Sequence, residues 1–347
     1  MKFGEKLKGF EPYEPFKYNG QIRLDANESY TDIPIEIKKQ IADKLMNIEF
    51  NRYPDPNAVE LCSTFGDYYG INSKNIVAGN GSDELISIII GFVLSKGNKA
   101  MVTSPDFSMY RIYFETAEIK CEVYDKNIDD FSFDKGEITE FINKNKIDFF
   151  VFSNPCNPTG QMIKTDEVEY ILKNTSCMIC VDEAYMDFSD SSVLYLIKNY
   201  DNLLVLKTLS KNIGLAALRI GFAISNEKNI NYIRAAKSPY NVNTLSQEAA
   251  TVVLKNKDYL NKVTKELIAK RKNLELGLRE FENDNFYICN SDTNFIYIKT
   301  DIADQIYNKL LDNNIVVRCF NGKALRISTG NDQENKALIN ALRRILK

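Results

Sequence analysis

The sequence contains no histidine among its 347 residues. Without an imidazole, the protein cannot use a Ser-His-Asp or Cys-His relay, a histidine-ligated zinc or haem site, or a histidine proton carrier. Its chemistry must therefore depend on lysine, tyrosine, cysteine or carboxylate side chains, or on a bound cofactor.

Long apolar runs are also missing. The longest, LISIIIGFVL at 85–94, is too short to span a bilayer, and the amino terminus lacks the apolar segment of a signal peptide. The 44 Lys and Arg nearly balance the 47 Asp and Glu, so the net charge of −3 provides no broad positive field for nucleic acid. We therefore expect a cytoplasmic protein that binds neither membranes nor nucleic acids.

A disulfide framework is not expected either. The seven cysteines are odd in number and spread from Cys62 to Cys319, which fits a reducing compartment. Cys177 and Cys180 form a C-x-x-C pattern, but they lie in a strand-like run where residues three apart face opposite sides of a sheet. Because no histidine or second cysteine pair is present, packing in the core is favoured and no metal site is predicted.

Strand-like apolar runs alternate with amphipathic helical patterns through most of the first 240 residues. Runs such as DFFVFS and LLVLKT are almost continuously apolar, as in strands buried on both faces. This alternation predicts an α/β fold with a mostly parallel sheet, whose ligands bind at the carboxyl ends of the strands. The expected helices include 34–47, 58–69, 82–94, 109–116 and 165–174, and the expected strands include 100–103, 121–124, 148–153, 178–182, 203–207 and 219–224.

The pattern changes near Pro239. From 244 to 281 the apolar spacing is helical, with many charge pairs four residues apart, and shorter alternating segments follow. We expect one long helix leading into a smaller α+β domain. The predicted organisation is an amino-terminal arm at 1–29, a large domain at 30–243 and a small domain at 244–347.

Short polar strings mark the predicted strand ends, where the ligand site of an α/β fold is expected. One of them, GNGSDE, precedes a helical pattern, so its glycines allow close backbone approach and Ser82 or Asp83 caps helix amides that suit a phosphate. An ordinary capped helix has the same pattern, and this string alone leaves both interpretations open. The strings are GNGSDE (79–84), SPDFSMY (104–110), SNPCNPTG (153–160), VDEAY (181–185), TLSK (208–211), LRIGF (218–222) and ALRIS (324–328).

Two charged residues in these strings have a chemical and an ordinary interpretation. Lys211 ends a hydroxyl-rich turn, where partial burial would make it a Schiff-base nucleophile, although most lysines are solvated. Asp182 ends a buried strand, where its charge needs a cationic partner such as a protonated pyridine nitrogen, with Tyr185 in reach of the same ring. A capping role is the alternative for Asp182.

Together these strings resemble the fold type I pyridoxal-phosphate enzymes and, within them, the histidinol-phosphate aminotransferase family. The resemblance covers nearly the whole chain and implies a large domain with a seven-stranded, mostly parallel sheet between helices plus a smaller α+β domain. It also implies pyridoxal 5'-phosphate as cofactor, small-molecule substrates and a homodimer. The strings that carry it are RLDANES, FNRYPDP, GNGSDE, SNPCNPTG, VDEAY, TLSKNIGLAALRIGF, SPYNVNTLSQ, and VVR followed by LRIS.

The resemblance assigns roles around the cofactor ring. Lys211 would bond to the cofactor and then move the proton between the reacting carbon atoms. Asp182 would hold the proton of the pyridine nitrogen, which keeps the ring an electron sink. Asn157 and Tyr185 would form hydrogen bonds to the 3-oxygen of the ring, and Tyr110 would stack on the face of the ring.

The resemblance also assigns residues to the cofactor phosphate. Backbone and hydroxyl groups of Ser82 and Asp83, with Ser210 and Arg219, would bind it within one subunit. Tyr53 of FNRYPDP would reach the same phosphate from a second subunit, which makes the homodimer the expected working unit.

The substrate side follows from the same resemblance. Arg326 would bind the α-carboxylate of glutamate or the phosphate of the other substrate, and Arg318 would be a second anion-binding arginine unless it is a surface strand residue. Tyr13 and Asn27 match arm residues that close over the substrate. The implied reaction transfers an amino group from glutamate to imidazole-acetol phosphate and forms histidinol phosphate for histidine biosynthesis.

Substrate identity stays open because Tyr30 and Cys156 depart from the family's common pattern and the span between Arg318 and Arg326 is short. In the family, the arm and that span both face the substrate. A phospho-amino-acid decarboxylase, such as one acting on threonine phosphate, and an aromatic amino-acid aminotransferase are alternatives on the same fold. A non-catalytic relative would be expected to have lost Lys211 or Asp182. A nucleotide-binding dehydrogenase is disfavoured because the G-x-G-x-x-G spacing is missing.

Overall fold

The computed structural model describes residue 16 and residues 18–346, and the predicted substrate residue Tyr13 lies outside them. The strands, numbered along the chain, are β1 (Ile22–Arg23), β2 (Ile76–Asn80), β3 (Lys99–Ser104), β4 (Lys120–Asp125), β5 (Phe149–Ser153), β6 (Met178–Asp182), β7 (Leu203–Thr208), β8 (Ile220–Ile224), β9 (Tyr287–Ile288), β10 (Phe295–Lys299), β11 (Ile315–Val316), β12 (Arg318–Phe320) and β13 (Ala324–Ser328). The α-helices are α1 (Ile35–Leu45), α2 (Val59–Tyr69), α3 (Ser82–Ile88), α4 (Met109–Thr116), α5 (Lys135–Asn145), α6 (Thr165–Asn174), α7 (Glu227–Ala236), α8 (Thr244–Lys255), α9 (Lys257–Leu278), α10 (Ala303–Asp312) and α11 (Asp332–Ile345).

The larger sheet has seven strands in the order β2-β8-β7-β6-β5-β3-β4. Strands β3 to β7 pair in parallel, whereas β8 runs antiparallel to both of its neighbours. Strands β5 and β7 are buried along their whole length, which explains their apolar sequences. The predicted α/β fold with a mostly parallel sheet is confirmed.

Side chains along β6 alternate between the two faces of this sheet. Ile179 and Val181 pack into one apolar cluster, whereas Cys180 packs into the cluster on the opposite face. Cys177 belongs to the first cluster, and both cysteines are free thiols. The two sulfurs of the C-x-x-C pattern therefore lie on opposite faces, as the strand period of two requires.

A second sheet forms a smaller layer. It is antiparallel, has four strands in the order β12-β13-β10-β9, and packs on α10, α11 and the last turns of α9. Near the amino terminus, β1 pairs in parallel with β11 and brings Leu24 into the same apolar cluster. Residues 22–24 therefore pack as part of the smaller layer.

The expected single helix over 244–281 is wrong, because two helices occupy this stretch. Asn256 separates α8 from α9 with φ −87° and ψ 58°, which is not helical. Its amide group donates to the Val252 carbonyl at 2.9 Å and to Gln40 Oε1 at 3.1 Å, and such side-chain bonds compete with the helical backbone. Because α8 packs into the core of the larger sheet, we propose that the domain boundary lies within α9 and not at residue 244.

The helix that follows GNGSDE also differs in detail from the prediction. Residues Ser82–Ile88 are α-helical, and the expected continuation to residue 94 is a π-helical turn at Ile89–Val93. Across residues 18–346, no helix is both long and apolar enough to cross a membrane.

Candidate active site

The polar strings meet at one edge of the larger sheet. In the parallel register Ser153 lies beside Asp182, and Asp182 lies beside Leu206. The turn after β7 then carries Ser210 and Lys211 along the same edge. The predicted site at the carboxyl ends of the parallel strands is therefore assembled in the middle of the sheet.

Asp182 is a buried carboxylate with two neutral donors. The Tyr110 hydroxyl donates to it at 2.8 Å and the Ala184 backbone N–H at 3.0 Å. Burial raises the pKa of Asp182 to about 6, although both hydrogen bonds lower it. The negative charges of Asp83 and Asp106 also raise it. A cationic donor supplied by a ligand would stabilise this carboxylate.

Tyr110 does not occupy the position that the sequence suggested. Its side chain is completely buried in the apolar cluster under the sheet edge, with its hydroxyl on Asp182. It therefore cannot offer a free ring face to a ligand, and it acts instead as a hydrogen-bond partner of Asp182. Phe107 lies three residues earlier, before α4 begins, is partly exposed, and has its ring centroid 5.3 Å from that of Tyr110. Two aromatic residues share the string SPDFSMY, so the sequence does not distinguish Phe107 from Tyr110 as the stacking ring.

Lys211 and Tyr185 lie close together. The Lys211 ammonium is 5.7 Å from the centroid of the Tyr185 ring and donates to the Ala26 carbonyl at 3.3 Å. The Tyr185 hydroxyl accepts a hydrogen bond from Asn27 Nδ2 at 2.9 Å. Because that amide occupies a lone pair, the hydroxyl keeps its own proton for donation to a ligand.

Asn27 is part of a buried network and not a mobile cover. It is 1% exposed, and its backbone N–H donates to Ser328 Oγ at 2.9 Å. Its carbonyl accepts from Asn294 Nδ2 at 3.0 Å. With φ at 54°, the residue adopts the left-handed conformation that asparagine tolerates better than most residues. The expected role of closing over the substrate does not fit this placement, and Asn27 instead orients Tyr185.

The GNGSDE turn faces Arg219. Arg219 Nη2 lies 3.4 Å from Asp83 Oδ2, and the two side chains are 45% and 47% exposed. A Cβ atom at Gly81 would lie only 2.7 Å from Arg219 Nη2, so a glycine at this position lets the guanidinium pack closely against the turn. The backbone at Ser82 and the hydroxyl of the buried Ser210 complete a set of groups that suits a phosphate. The Asp83 carboxylate engages Arg219, so only the backbone of Asp83 is suited to an anion.

Arg326 lies on β13 of the smaller sheet and contacts the turn after β5. It donates through Nη1 to Asn157 Oδ1 and through Nη2 to the Asp25 carbonyl, both at 2.6 Å. Its guanidinium carbon is 5.4 Å from the centroid of the Phe295 ring, a contact that the sequence did not signal. Arg318 is exposed and directly opposite Arg326 in the antiparallel pair of β12 and β13. Opposed residues share a sheet face, so the two predicted arginines are neighbours.

Tyr53 is the described site residue that the structure does not bring into this group. Its side chain is 81% exposed, and its ring stacks on Tyr240 with centroids 4.6 Å apart. Met46 and Phe50, 84% and 79% exposed, lie on the same stretch of chain. This exposed apolar stretch is unlike the polar edge that holds the other residues.

Comparison with known proteins places this chain in a family. The family model for class I and II aminotransferases matches residues 19–342. The histidinol-phosphate aminotransferase of Clostridium novyi (strain NT) is 40% identical over 345 residues, which cover 98% of this chain and 96% of the relative. The chain belongs to the histidinol-phosphate aminotransferase family. The family resemblance of the sequence strings is thereby confirmed.

Solved structures agree on the fold. The histidinol-phosphate aminotransferase of Sinorhizobium meliloti, in complex with pyridoxal-5'-phosphate, has a TM-score of 0.88 at 20% identity, with 99% of this chain and 97% of that chain covered. The L-threonine-O-3-phosphate decarboxylase of Porphyromonas gingivalis has a TM-score of 0.80 at 22% identity, with 94% and 99% covered. At these identities the likeness concerns the fold alone, and it confirms the predicted fold type I architecture.

Proposed function

We propose that this chain is a pyridoxal-phosphate-dependent aminotransferase that exchanges an amino group between glutamate and imidazole-acetol phosphate. The observation that carries the proposal is the full-length identity of 40% to a relative named histidinol-phosphate aminotransferase. Asp182 and Lys211 lie at one edge of the larger sheet, and Arg326 of the smaller sheet contacts Asn157 at the same edge, which supports the same chemistry.

The residues at the sheet edge fit the cofactor. The Arg219 guanidinium, which packs against the turn at Gly81, would bind its phosphate together with the backbone of Ser82 and the hydroxyl of Ser210. Asp182 lacks a cationic donor in its immediate hydrogen-bond set, and a protonated ring nitrogen would supply one. When bound, pyridoxal phosphate supplies a ring that withdraws electrons from the α-carbon of the substrate.

The neighbouring side chains would orient the ring. Phe107 would cover one face of it. Asn157 Oδ1 is occupied by Arg326, so its Nδ2 remains to donate to the ring oxygen, and the Tyr185 hydroxyl would donate to the same oxygen. Lys211 Nζ would bond to the cofactor and, once released, would take the proton from the α-carbon and deliver it to the aldehyde-derived carbon of the cofactor, on the other side of the amino nitrogen.

Arg326 and Arg318 would bind the anionic ends of the substrates. A guanidinium forms two parallel hydrogen bonds to a carboxylate or a phosphate, which fixes orientation as well as charge. Two neighbouring arginines suit a phosphate with nearly two negative charges better than a neutral aromatic group. This pairing favours histidinol phosphate over phenylalanine as the amino compound.

We also propose a homodimer in a reducing cytoplasm. The exposed Tyr53 and its apolar neighbours would pack on a second copy, which would bring Tyr53 to that copy's phosphate site. All seven cysteines are free thiols, which supports the reducing compartment.

A half-reaction screen tests the proposed substrates. The cofactor-loaded protein is mixed separately with glutamate, histidinol phosphate, phenylalanine and threonine phosphate, and the cofactor absorption band is followed. We expect rapid loss of the aldehyde-form band with glutamate and histidinol phosphate only. Conversion by phenylalanine alone would refute the proposal, and carbon dioxide release from threonine phosphate would identify a decarboxylase instead. Lys211→Ala, which removes the proton carrier, should bind the cofactor non-covalently and fail to convert.

A further inference from the structure

The turns after β3, β4 and β5 bring a lysine, a cysteine and an aspartate together beside the active site. Lys126 Nζ lies 3.2 Å from Cys156 Sγ and 3.5 Å from Asp106 Oδ2. The Lys126 and Asp106 side chains are each 2% exposed, and Cys156 is 3% exposed. The proposed transamination uses neither Lys126 nor Cys156.

The partner of the Cys156 sulfur is unusual among the sulfur contacts of the described residues. The thiols of Cys62, Cys121 and Cys177 donate to backbone carbonyls, and that of Cys319 donates to a carboxylate. Unlike these four thiols, the Cys156 sulfur lies against a primary amine, that of Lys126. In a buried site, an oxidised sulfur at this position meets the amine before it meets a second thiol, and such proximity strongly favours an intramolecular reaction.

We propose that Lys126 and Cys156 form a reversible sulfenamide cross-link when the protein meets hydrogen peroxide. In the first step the Cys156 sulfur attacks peroxide, the O–O bond breaks, and Cys–SOH and water form while sulfur is oxidised by two electrons. In the second step the Lys126 nitrogen attacks that sulfur, the S–O bond breaks, and the hydroxide leaves as water with one N–H proton. The bond formed is S–N, and no further oxidant is needed.

Asp106 provides the base for the second step. Burial lowers the pKa of Lys126, but the charges of Cys156 and Asp106 outweigh that effect and leave it above its usual value. The ammonium must therefore lose a proton before nitrogen can attack. The Asp106 carboxylate at 3.5 Å is placed to take it.

The cross-link would disturb the active-site turns. This effect on the active site rests on the proposed function, but formation of the cross-link does not depend on it. Asp106 accepts hydrogen bonds from Thr103 Oγ1 at 2.6 Å and from the Phe107 N–H at 2.8 Å, and it also binds Ser153. Neutralising Lys126 and Asp106 together removes the ion pair under this hub. We expect the cofactor affinity to fall and to recover when a thiol cleaves the S–N bond.

Peptide mapping of the full-length, cofactor-loaded protein after hydrogen peroxide treatment tests the cross-link. We expect a linked peptide pair containing residues 126 and 156, lighter by about 2 Da than the two peptides together because two hydrogens are lost. Tryptic cleavage after Lys126 should be blocked. Dithiothreitol should restore both peptides.

Lys126→Arg is the matched control, because it keeps a cation beside Asp106 but removes the nucleophilic amine. In this variant Cys156 should accumulate sulfenic and then sulfinic acid. Cys156→Ser should abolish the linked pair, and it keeps the Lys126–Asp106 ion pair. Oxidation of Cys156 to sulfinic acid without a linked pair in the unaltered protein would overturn the proposal. So would a linked pair that retains an additional oxygen atom, or a 2 Da loss that persists in Lys126→Arg.

Discussion

The buried carboxylate of Asp182 makes the cofactor-free protein less stable than it would be with a neutral side chain. The pKa of Asp182 in the folded chain is about 6, against 3.8 for an ordinary aspartate. The folded state therefore binds the proton more tightly than the unfolded state. At low pH, Asp182 is protonated in both the folded and the unfolded state, and the free energy of unfolding is not reduced. The free energy of unfolding falls as the pH rises through the window between these two pKa values. Above that window the full loss amounts to about 3 kcal/mol.

Asp182→Asn removes this loss while keeping an oxygen that accepts from Tyr110. About half of the loss has developed by pH 5, so the stability gain of the variant should be larger at pH 8 than at pH 5 by about 1.5 kcal/mol. Urea unfolding of the cofactor-free proteins, followed by circular dichroism at both pH values, measures this difference. Asp129→Asn, which removes an exposed carboxylate, is the control and should show no such change.

The order should reverse when the cofactor is present. A ligand that binds only the folded state adds stability in proportion to the logarithm of its concentration over its dissociation constant. Saturating pyridoxal phosphate should therefore stabilise the unaltered protein more than Asp182→Asn. A stability gain of the variant that is equal at pH 5 and pH 8 would refute the assignment of the penalty to Asp182.

Three further substitutions test other parts of the site. Tyr110→Phe removes one neutral donor from Asp182. Cofactor titration should show about tenfold weaker binding, since a hydrogen bond to a charged group contributes about 1.5 kcal/mol or more. Unchanged affinity would contradict the positioning role of Tyr110. In steady-state kinetics, Arg326→Lys should raise the KM for both substrates by at least about tenfold, because lysine cannot form the two parallel hydrogen bonds of a guanidinium. An effect on one substrate only would contradict shared binding. Tyr53→Ala should weaken the dimer in light scattering and lower cofactor affinity together, whereas Tyr232→Ala, at another exposed tyrosine, should change neither.

Several elements could be predicted closely because local pattern and burial agree. The helices at Met109–Thr116 and Thr165–Asn174 and the strand at Met178–Asp182 have the expected bounds. In contrast, α5 and α7 are not among the predicted helices, because polar residues dominate both sequences and leave few apolar positions to mark the helical period. The break at Asn256 was also missed, because it depends on a contact with Gln40, more than two hundred residues earlier in the chain.

The site residues divide in the same way. The positions of Asp182 and Lys211 follow from their place at strand ends, which sequence periodicity reveals, whereas Arg326 lies in the middle of β13 and not at a strand end as expected. The positions of Tyr110 and Asn27 do not follow from periodicity, because each is buried through contacts with a distant segment. No local pattern distinguishes Phe107 from Tyr110, and only the packing of α4 against the sheet selects which ring remains open.

The sequence by itself determined the class of chemistry, because the absence of histidine excluded imidazole catalysis and the ordered strings around Lys211 and Asp182 resemble those of pyridoxal-phosphate enzymes. It also determined the layered α/β fold, because apolar periodicity is a local property. Only the tertiary structure decided which residue acts on which. Hydrogen bonds such as Tyr110 to Asp182 and Arg326 to Asn157 join residues 72 and 169 positions apart, and the contact of Lys126 with Cys156 depends on the meeting of two separate strand ends. These pairings arise from how the strands are ordered in the sheet, which no short stretch of sequence encodes.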